Sequence, residues 1–328
     1  MAHLNDYPSL SRWYHDHNDM YPLYEEDPTE YTAWQFCRAL TLEVSEASLL
    51  WQSALSRLLD QSENVLSSFQ EVERFFECSG VSLTQMISNW GYDSFQIGRE
   101  DEFFLLMEKT ANKTGLVSFY FLAAWSAFNL NEFDACLKIC DKVEGCYAPI
   151  LTLKGQALLE SGRSKEAIAV LEDAVTSDER EILAWFQLAK ACWLEQQYQG
   201  AFDSLLSCLK VSGSNPEVSL FLAIVATDAP YSFAWHQKAW EEMQPFMAQY
   251  KANEEYVDKL IKLAIRSNQK DWMEVLAEKV DWQSIKEALY VNKKLGPLLK
   301  DLGERTWYEL AKKILDQLIG AELTEDGV

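Results

Sequence analysis

A recurrence at a spacing of 34 residues constrains this chain more than any other feature. From Leu151 the order runs Leu151, Lys154-Gly155 and Leu158, a turn at Ser161-Gly162-Arg163, then Ala167, Leu171 and Ala174. From Trp185 the same frame holds Trp185, Leu188-Ala189, Cys192, Ala201, Leu205 and Cys208. Apolar residues three and four apart form one stripe along a helix, and two such stripes parted by a turn make a helical hairpin. A lone hairpin leaves its stripe in water, so repetition at a fixed period calls for each hairpin to stack on the next. Strand signals are scarce, with no sustained alternation of period two and no Asn-Gly or Asp-Gly turn between β-branched runs. The chain is expected to be all-α.

The period and its residues resemble the tetratricopeptide repeat family. The stretch GRSKEAIAVLEDAV, residues 162–175, is similar to that family's turn and second helix, and Ala167 and Ala201 stand where two helix axes cross closely. Upstream, Tyr120, Ala124, Phe133, Cys136 and Cys140 fit a further unit, with Asn131-Glu132-Phe133-Asp134 as its turn. Downstream, Pro216 lies 34 residues after Ile182, and Leu222-Ala223 repeats Leu188-Ala189. The loop Asp228-Ala229-Pro230 then arrives, the second helix at 232–246 lacks the small residue in frame, and the family's closing proline is displaced in every unit. The resemblance implies a tetratricopeptide-like helical-hairpin solenoid with flanking N- and C-terminal helices. Four segments are expected: an acidic aromatic arm at 1–28, an N-terminal helical region at 29–115, the repeats at 116–246 and a C-terminal helical region at 247–328. Periodicity predicts N-terminal helices at 29–44, 45–60, 63–78, 82–90 and 99–113, with Ser45, Ser62 and Ser82 as N-caps and Gly80 and Gly91 as stops. Further helices are predicted at 254–267, 271–280, 283–294 and 304–319. Pro8, Pro22, Pro28, Pro149 and Pro216 precede or open predicted helices, where a missing N–H costs nothing.

Of the 328 residues 48% are apolar, enough for a large core. The chain carries 29 basic and 51 acidic residues, a net charge of −22, which repels phosphate backbones and anionic membrane faces and excludes nucleic acid as a partner. Residues 1–115 hold 7 basic and 19 acidic residues and residues 251–313 hold 13 and 11, so the two ends should meet different partners, or each other. Seven cysteines, mostly inside apolar helical patterns, favour a reducing compartment and a cytoplasmic location. Neither a secretory leader nor a membrane-spanning run of about 18 apolar residues is found, so no membrane insertion is expected and the sequon Asn112-Lys113-Thr114 carries no meaning.

Catalytic chemistry finds little support. Of four histidines, His3, His15 and His17 lie in the arm and His236 stands alone on a helix. No nucleophile elbow, zinc-protease motif or phosphate-binding glycine loop occurs. Cys136, Cys140 and Cys146 have no second cluster to complete a tetrahedral site, and His15-Asp16-His17 has no distant ligand. No catalytic residue, metal or cofactor is expected, and the chain is expected not to be an enzyme.

On the helix at 182–196 the seam is supplied by Trp185, Leu188, Ala189 and Cys192, which leaves Phe186, Lys190 and Trp193 at i, i+4 and i+7 as a second stripe. One unit upstream, Phe121, Trp125 and Phe128 do the same beside Tyr120 and Ala124. The resemblance places these six residues, with Gln156 and Leu159 between them, along a concave groove that binds partner proteins or peptides. The alternative is that the rings pack on flanking helices or on the arm. The groove lacks the Lys, Arg and Asn cluster that clamps acidic chaperone tails in some family members, so an aromatic, leucine-rich or basic ligand fits better. Two roles suit such a groove and the acidic surface: an adaptor or scaffold, or a chaperone of the tetratricopeptide type for secretion substrates. The arm, dense in Tyr, Trp and acid, reads as an irregular segment that lies on apolar surface, either the chain's own groove or a second copy in a homodimer.

Overall fold

The computed structural model describes residues 4–17, 27–267 and 269–280. Among the described residues there are sixteen α-helices and no strand. They fall into two compact units, Met1–Glu166 and Ala167–Val328. The predicted helices at 283–294 and 304–319, and Pro22, lie outside the described residues.

The first unit begins with a 3-10 turn at Leu4–Asp6 and helices α1 (Pro8–His17), α2 (Pro28–Ala39), α3 (Val44–Gln61), α4 (Val65–Glu77), α5 (Leu83–Gln96) and α6 (Glu100–Thr114). Residues 4–17 were expected to be irregular; they are instead helical and lie on the unit's own surface. Leu4 N–H donates to the Leu40 carbonyl at 3.1 Å, Leu4 and Leu10 are buried, and Trp13 meets Phe75 edge-on at 4.5 Å. Each large ring removed from water contributes roughly 1.5–3 kcal/mol, enough to order a segment that composition alone leaves without a period.

Trp51 of α3 is fully buried, stacked on Trp90 of α5 at 5.3 Å and met edge-on by Phe103 of α6 at 6.0 Å. Beside it a buried polar group joins α3 to α5: Gln52 donates to Ser48 Oγ at 3.0 Å, and Ser48 and Ser94 hydroxyls lie 3.1 Å apart. Paired polar groups of this kind disfavour slipped packings, because any slip leaves them buried and unbonded.

The structure corrects three local expectations. Ser45 lies inside α3, whose N-cap is Glu43 without a side-chain bond, and Ser62 is the C-cap of α3 while Asn64 caps α4 through Ser67 N–H at 3.1 Å. Ser82 does cap α5, accepting from Gln85 N–H at 3.3 Å. Gly91 is no stop: α5 runs through it to Gln96, because the bare Cα lets the Phe103 ring close on the helix, and a Cβ there would stand 2.3 Å from Phe103 Cζ.

The unit continues with α7 (Val117–Asn129), α8 (Phe133–Cys140) and α9 (Ala148–Glu160), each packed on the next, with α7 also touching α9. That next-neighbour pattern is the signature of stacked hairpins.

The second unit takes in most of α10 (Ser164–Ser177), then α11 (Ile182–Leu194), α12 (Tyr198–Ser212), α13 (Pro216–Asp228), α14 (Phe233–Met243), α15 (Glu254–Arg266) and α16 (Lys270–Lys279). Helix α11 pairs with α12, α12 with α13, and α13 with both α14 and α15.

The interhelix turns share one backbone form. Glu132 N–H reaches the Ala127 carbonyl at 2.9 Å, Arg163 that of Leu158 at 2.8 Å and Gln197 that of Cys192 at 2.8 Å. The residue before each donor, Asn131, Gly162 and Gln196, has positive φ. This six-to-one bond closes a helix end and reverses the chain.

Candidate functional site

In the second unit the expected stripe of α11 takes shape around a ring that the sequence frame missed. The seam residues Leu188, Ala189 and Cys192 are buried, so Phe186, Lys190 and Trp193 are turned to the flank and are half-buried. Trp185, expected on the seam, is half-buried too, with its indole N–H donated to the Glu179 carbonyl at 2.9 Å. Phe221 of α13 packs against Phe186 at 5.6 Å and takes Trp193 edge-on at 5.8 Å. Trp193 donates its indole N–H to Asp228 Oδ2 at 3.0 Å, at the last residue of α13. Aromatic pairs of this geometry contribute about 0.5–1.5 kcal/mol beyond area, so the three rings form a positioned surface. Leu183 and Leu194, 44% and 46% exposed, extend the apolar area along α11.

Phe221 was missed because the 34-residue frame aligns it with Gln187, one position from the stripe. Asp228, at the start of a loop by its sequence, instead closes α13. A search for any aromatic within one residue of the frame would have found the first.

In the first unit Phe121, Trp125 and Phe128 are half-buried on α7, as the spacing requires. Trp125 leans edge-on against Phe95 of α5 at 5.1 Å, and Phe128 against Phe133 of α8 at 5.6 Å. Gln156 is half-buried on α9 and Leu159 is buried. Two of the three rings thus brace neighbouring helices.

Among the described residues His236 and the Cys136–Cys140 pair are held in the packing. His236, which the sequence left alone, is buried, with Nε2 3.1 Å from the Ala226 carbonyl and Nδ1 3.0 Å from Ser267 Oγ. The neutral imidazole donating from Nε2 and accepting at Nδ1 satisfies both, and burial lowers its pKa. The pKa of the Cys136 thiol is raised by its hydrogen bond with Cys140 and by burial, while Cys146 is exposed. Among the described residues no group of three or more His, Cys, Asp or Glu side chains could hold a metal ion.

The arrangement can offer shape, apolar area, one cation and hydrogen bonds; it defines a helical-repeat protein built from stacked hairpins. Residues 148–181 match the family model described as "Tetratricopeptide repeat". Over that span the chain carries a tetratricopeptide repeat. PilF of Pseudomonas aeruginosa shares the fold at 15% identity and a TM-score of 0.50, covering 70% of this chain and 97% of its own. The C-terminal part of a TPR repeat-containing protein from Cytophaga hutchinsonii aligns at 15% identity and 0.47, covering 76% and 99%. MamA from residue 41 onward, of Desulfovibrio magneticus RS-1, aligns at 16% and 0.43, covering 52% and 97%. At these identities the likeness concerns fold alone. No curated protein matches the sequence. No helix among the described residues is long and apolar enough to cross a membrane.

Proposed function

We propose that this protein is a non-enzymatic adaptor that recruits partner proteins through the aromatic flank of α11 and α13. The observation that carries the proposal is the Phe186–Phe221–Trp193 cluster with its Trp193–Asp228 hydrogen bond. The hydrogen bond satisfies the indole N–H and fixes the ring while leaving it half-buried, so its face stays within reach of a partner. Half-exposed rings held rigid lose little entropy on binding and make strong contact points. Lys190 on the same stripe and the exposed Leu183 and Leu194 complete a surface suited to an apolar segment. In the first unit Phe121, Trp125, Phe128, Gln156 and Leu159 supply a second, more enclosed patch, of which the half-buried rings and Gln156 are the reachable part. The acidic balance of the chain, −22, favours proteins with basic flanks over nucleic acids as partners, and the free cysteines suit a cytoplasmic role.

The test is selection of binding peptides from a displayed random library on the full chain, followed by affinity measurement with Trp193→Ala and Phe186→Ala. Enrichment of an aromatic or leucine-rich consensus, weakened about tenfold by either change, is the expected result. Equal binding by both variants would remove this surface from consideration. A chaperone for secretion substrates would instead hold a permanently unfolded, carboxymethylated protein with little sequence preference.

A further inference from the structure

The turn end of the second unit carries a cleft that the aromatic flank does not use. The α11–α12 turn and the α13–α14 loop come together there around a volume of about 680 Å³, lined by Gln196, Gln197 and Tyr198 on one side and Pro230, Ser232 and Trp235 on the other. None of the lining residues is charged, although the chain carries 51 acidic and 29 basic side chains. Depletion of charge around aromatic rings marks the centre of protein interfaces.

Two features show a surface prepared for hydrogen-bond acceptors. Phe202, itself buried, stacks flat on Trp235 at 4.4 Å and 6°, which holds the indole rigid while the rest of the ring lines the cleft. In the same unit Trp185 and Trp193 give their indole N–H groups to protein oxygens, whereas among the described residues none accepts from Trp235. Ser232 is the N-cap of α14, yet its hydroxyl makes no capping bond. A serine at this position ordinarily accepts from the first turn of its helix, so the uncommitted hydroxyl faces the cleft it lines.

We propose that this cleft receives a proline-rich segment of a partner protein in the polyproline-II conformation. Such a segment has no internal hydrogen bonds, its prolines have no N–H, and it therefore presents carbonyl acceptors and flat rings with almost no donors. The cleft supplies the complement: rigid aromatic faces at Trp235 and Tyr198 and donors from the Trp235 indole, the Ser232 hydroxyl and the Gln197 amide. A carbohydrate would bring as many donating hydroxyls as acceptors, and no Asp or Glu lines the cleft to add to the acceptors of its glutamines. A basic segment would find no acid there, and a helical peptide would leave the donors unused because its own carbonyls are bonded. Neutral, acceptor-rich and extended is the chemistry that remains.

The probe is a decaproline peptide, titrated into the full chain by calorimetry and followed through the indole N–H resonance of Trp235. Saturable binding that shifts this resonance is expected. Trp235→Ala should weaken it by about tenfold or more, Gln197→Ala by a few-fold, and Trp193→Ala not at all. Should Trp235→Ala fail to fold, Trp235→Phe keeps a ring on Phe202 without the N–H donor and is expected to weaken binding by itself. The proposal is overturned by absence of saturable binding at millimolar peptide, by equal binding of a ten-residue Gly-Ser peptide, or by unchanged affinity in both Trp235 variants. A cello-oligosaccharide that moves the Trp235 resonance where decaproline does not would overturn it in favour of a sugar site. Because Trp193→Ala reports on the aromatic flank separately, failure here leaves the adaptor proposal standing and the reverse also holds.

Discussion

Replacing Gly91 by alanine should weaken this protein, although on helix propensity alone it should strengthen it. In a helix interior the exchange of Gly for Ala gains up to about 1 kcal/mol. At Gly91 the added Cβ would stand 2.3 Å from Phe103 Cζ and 2.7 Å from each Cε, where carbon atoms rest at about 3.5–4.0 Å. The ring would have to withdraw by more than an ångström, yet Phe103 is fully buried and already touches Trp51 at 6.0 Å and Phe95 at 6.5 Å. Overpacking a close-fitted core costs about 1–3 kcal/mol, and a contact this short belongs at the upper end. Net of propensity, Gly91→Ala should lose about 1–2 kcal/mol. Urea unfolding followed by far-UV circular dichroism measures it, with Phe103→Leu as the partner change. Leucine lacks the ring tip, so adding Gly91→Ala to Phe103→Leu should cost much less than adding it to the natural chain. A Gly91→Ala protein more stable than its parent would show that the α5–α6 contact is not as close as described and refute the argument.

Three other outcomes follow from the same structure. Gly162 has φ +73° with no atom within 4 Å of the place a Cβ would take, so Gly162→Ala should cost about 1 kcal/mol through backbone conformation alone; an unchanged urea midpoint would show that the turn needs no left-handed residue. In the native chain a thiol reagent at mildly alkaline pH should label exposed Cys78 and Cys146 quickly and Cys37, Cys136, Cys140, Cys192 and Cys208 only after unfolding, since burial holds Cys37 up at about 12 and Cys192 at about 11; rapid labelling of Cys37 would contradict the α2 core. His236 is held below its ordinary pKa of 6.5 by burial, with Arg266 adding to the effect, so its contribution to stability is complete above that value and is lost as pH falls through the lower folded value; the urea midpoint should drop between neutral pH and pH 5, and His236→Gln should flatten that drop.

By itself the sequence determined the class of fold and the repeat frame. Spacings of three and four, and the return of Leu188-Ala189 at Leu222-Ala223, are local properties of a helix, and they survive in α7 to α9 and again in α11 to α13 because neighbour-on-neighbour stacking within each unit adds few distant constraints. The stripe of Phe186, Lys190 and Trp193 was legible for the same reason, being a matter of helical geometry alone. What covers or supports each ring was not. Phe221 and Asp228 reach Trp193 from another helix, Phe95 reaches Trp125, and Phe103 passes over Gly91, each a contact between residues far apart in the chain with no periodic trace. Gly91 shows the limit most clearly, because a glycine that ends a helix and one that admits a neighbour's ring are the same letter. Residues 4–17 show it as well: their helix is short, and it gains its order from Leu4, Leu10 and Trp13 meeting a surface formed by other parts of the unit. Only the tertiary structure could decide these points, since the energy of each lies in packing between elements and not within them.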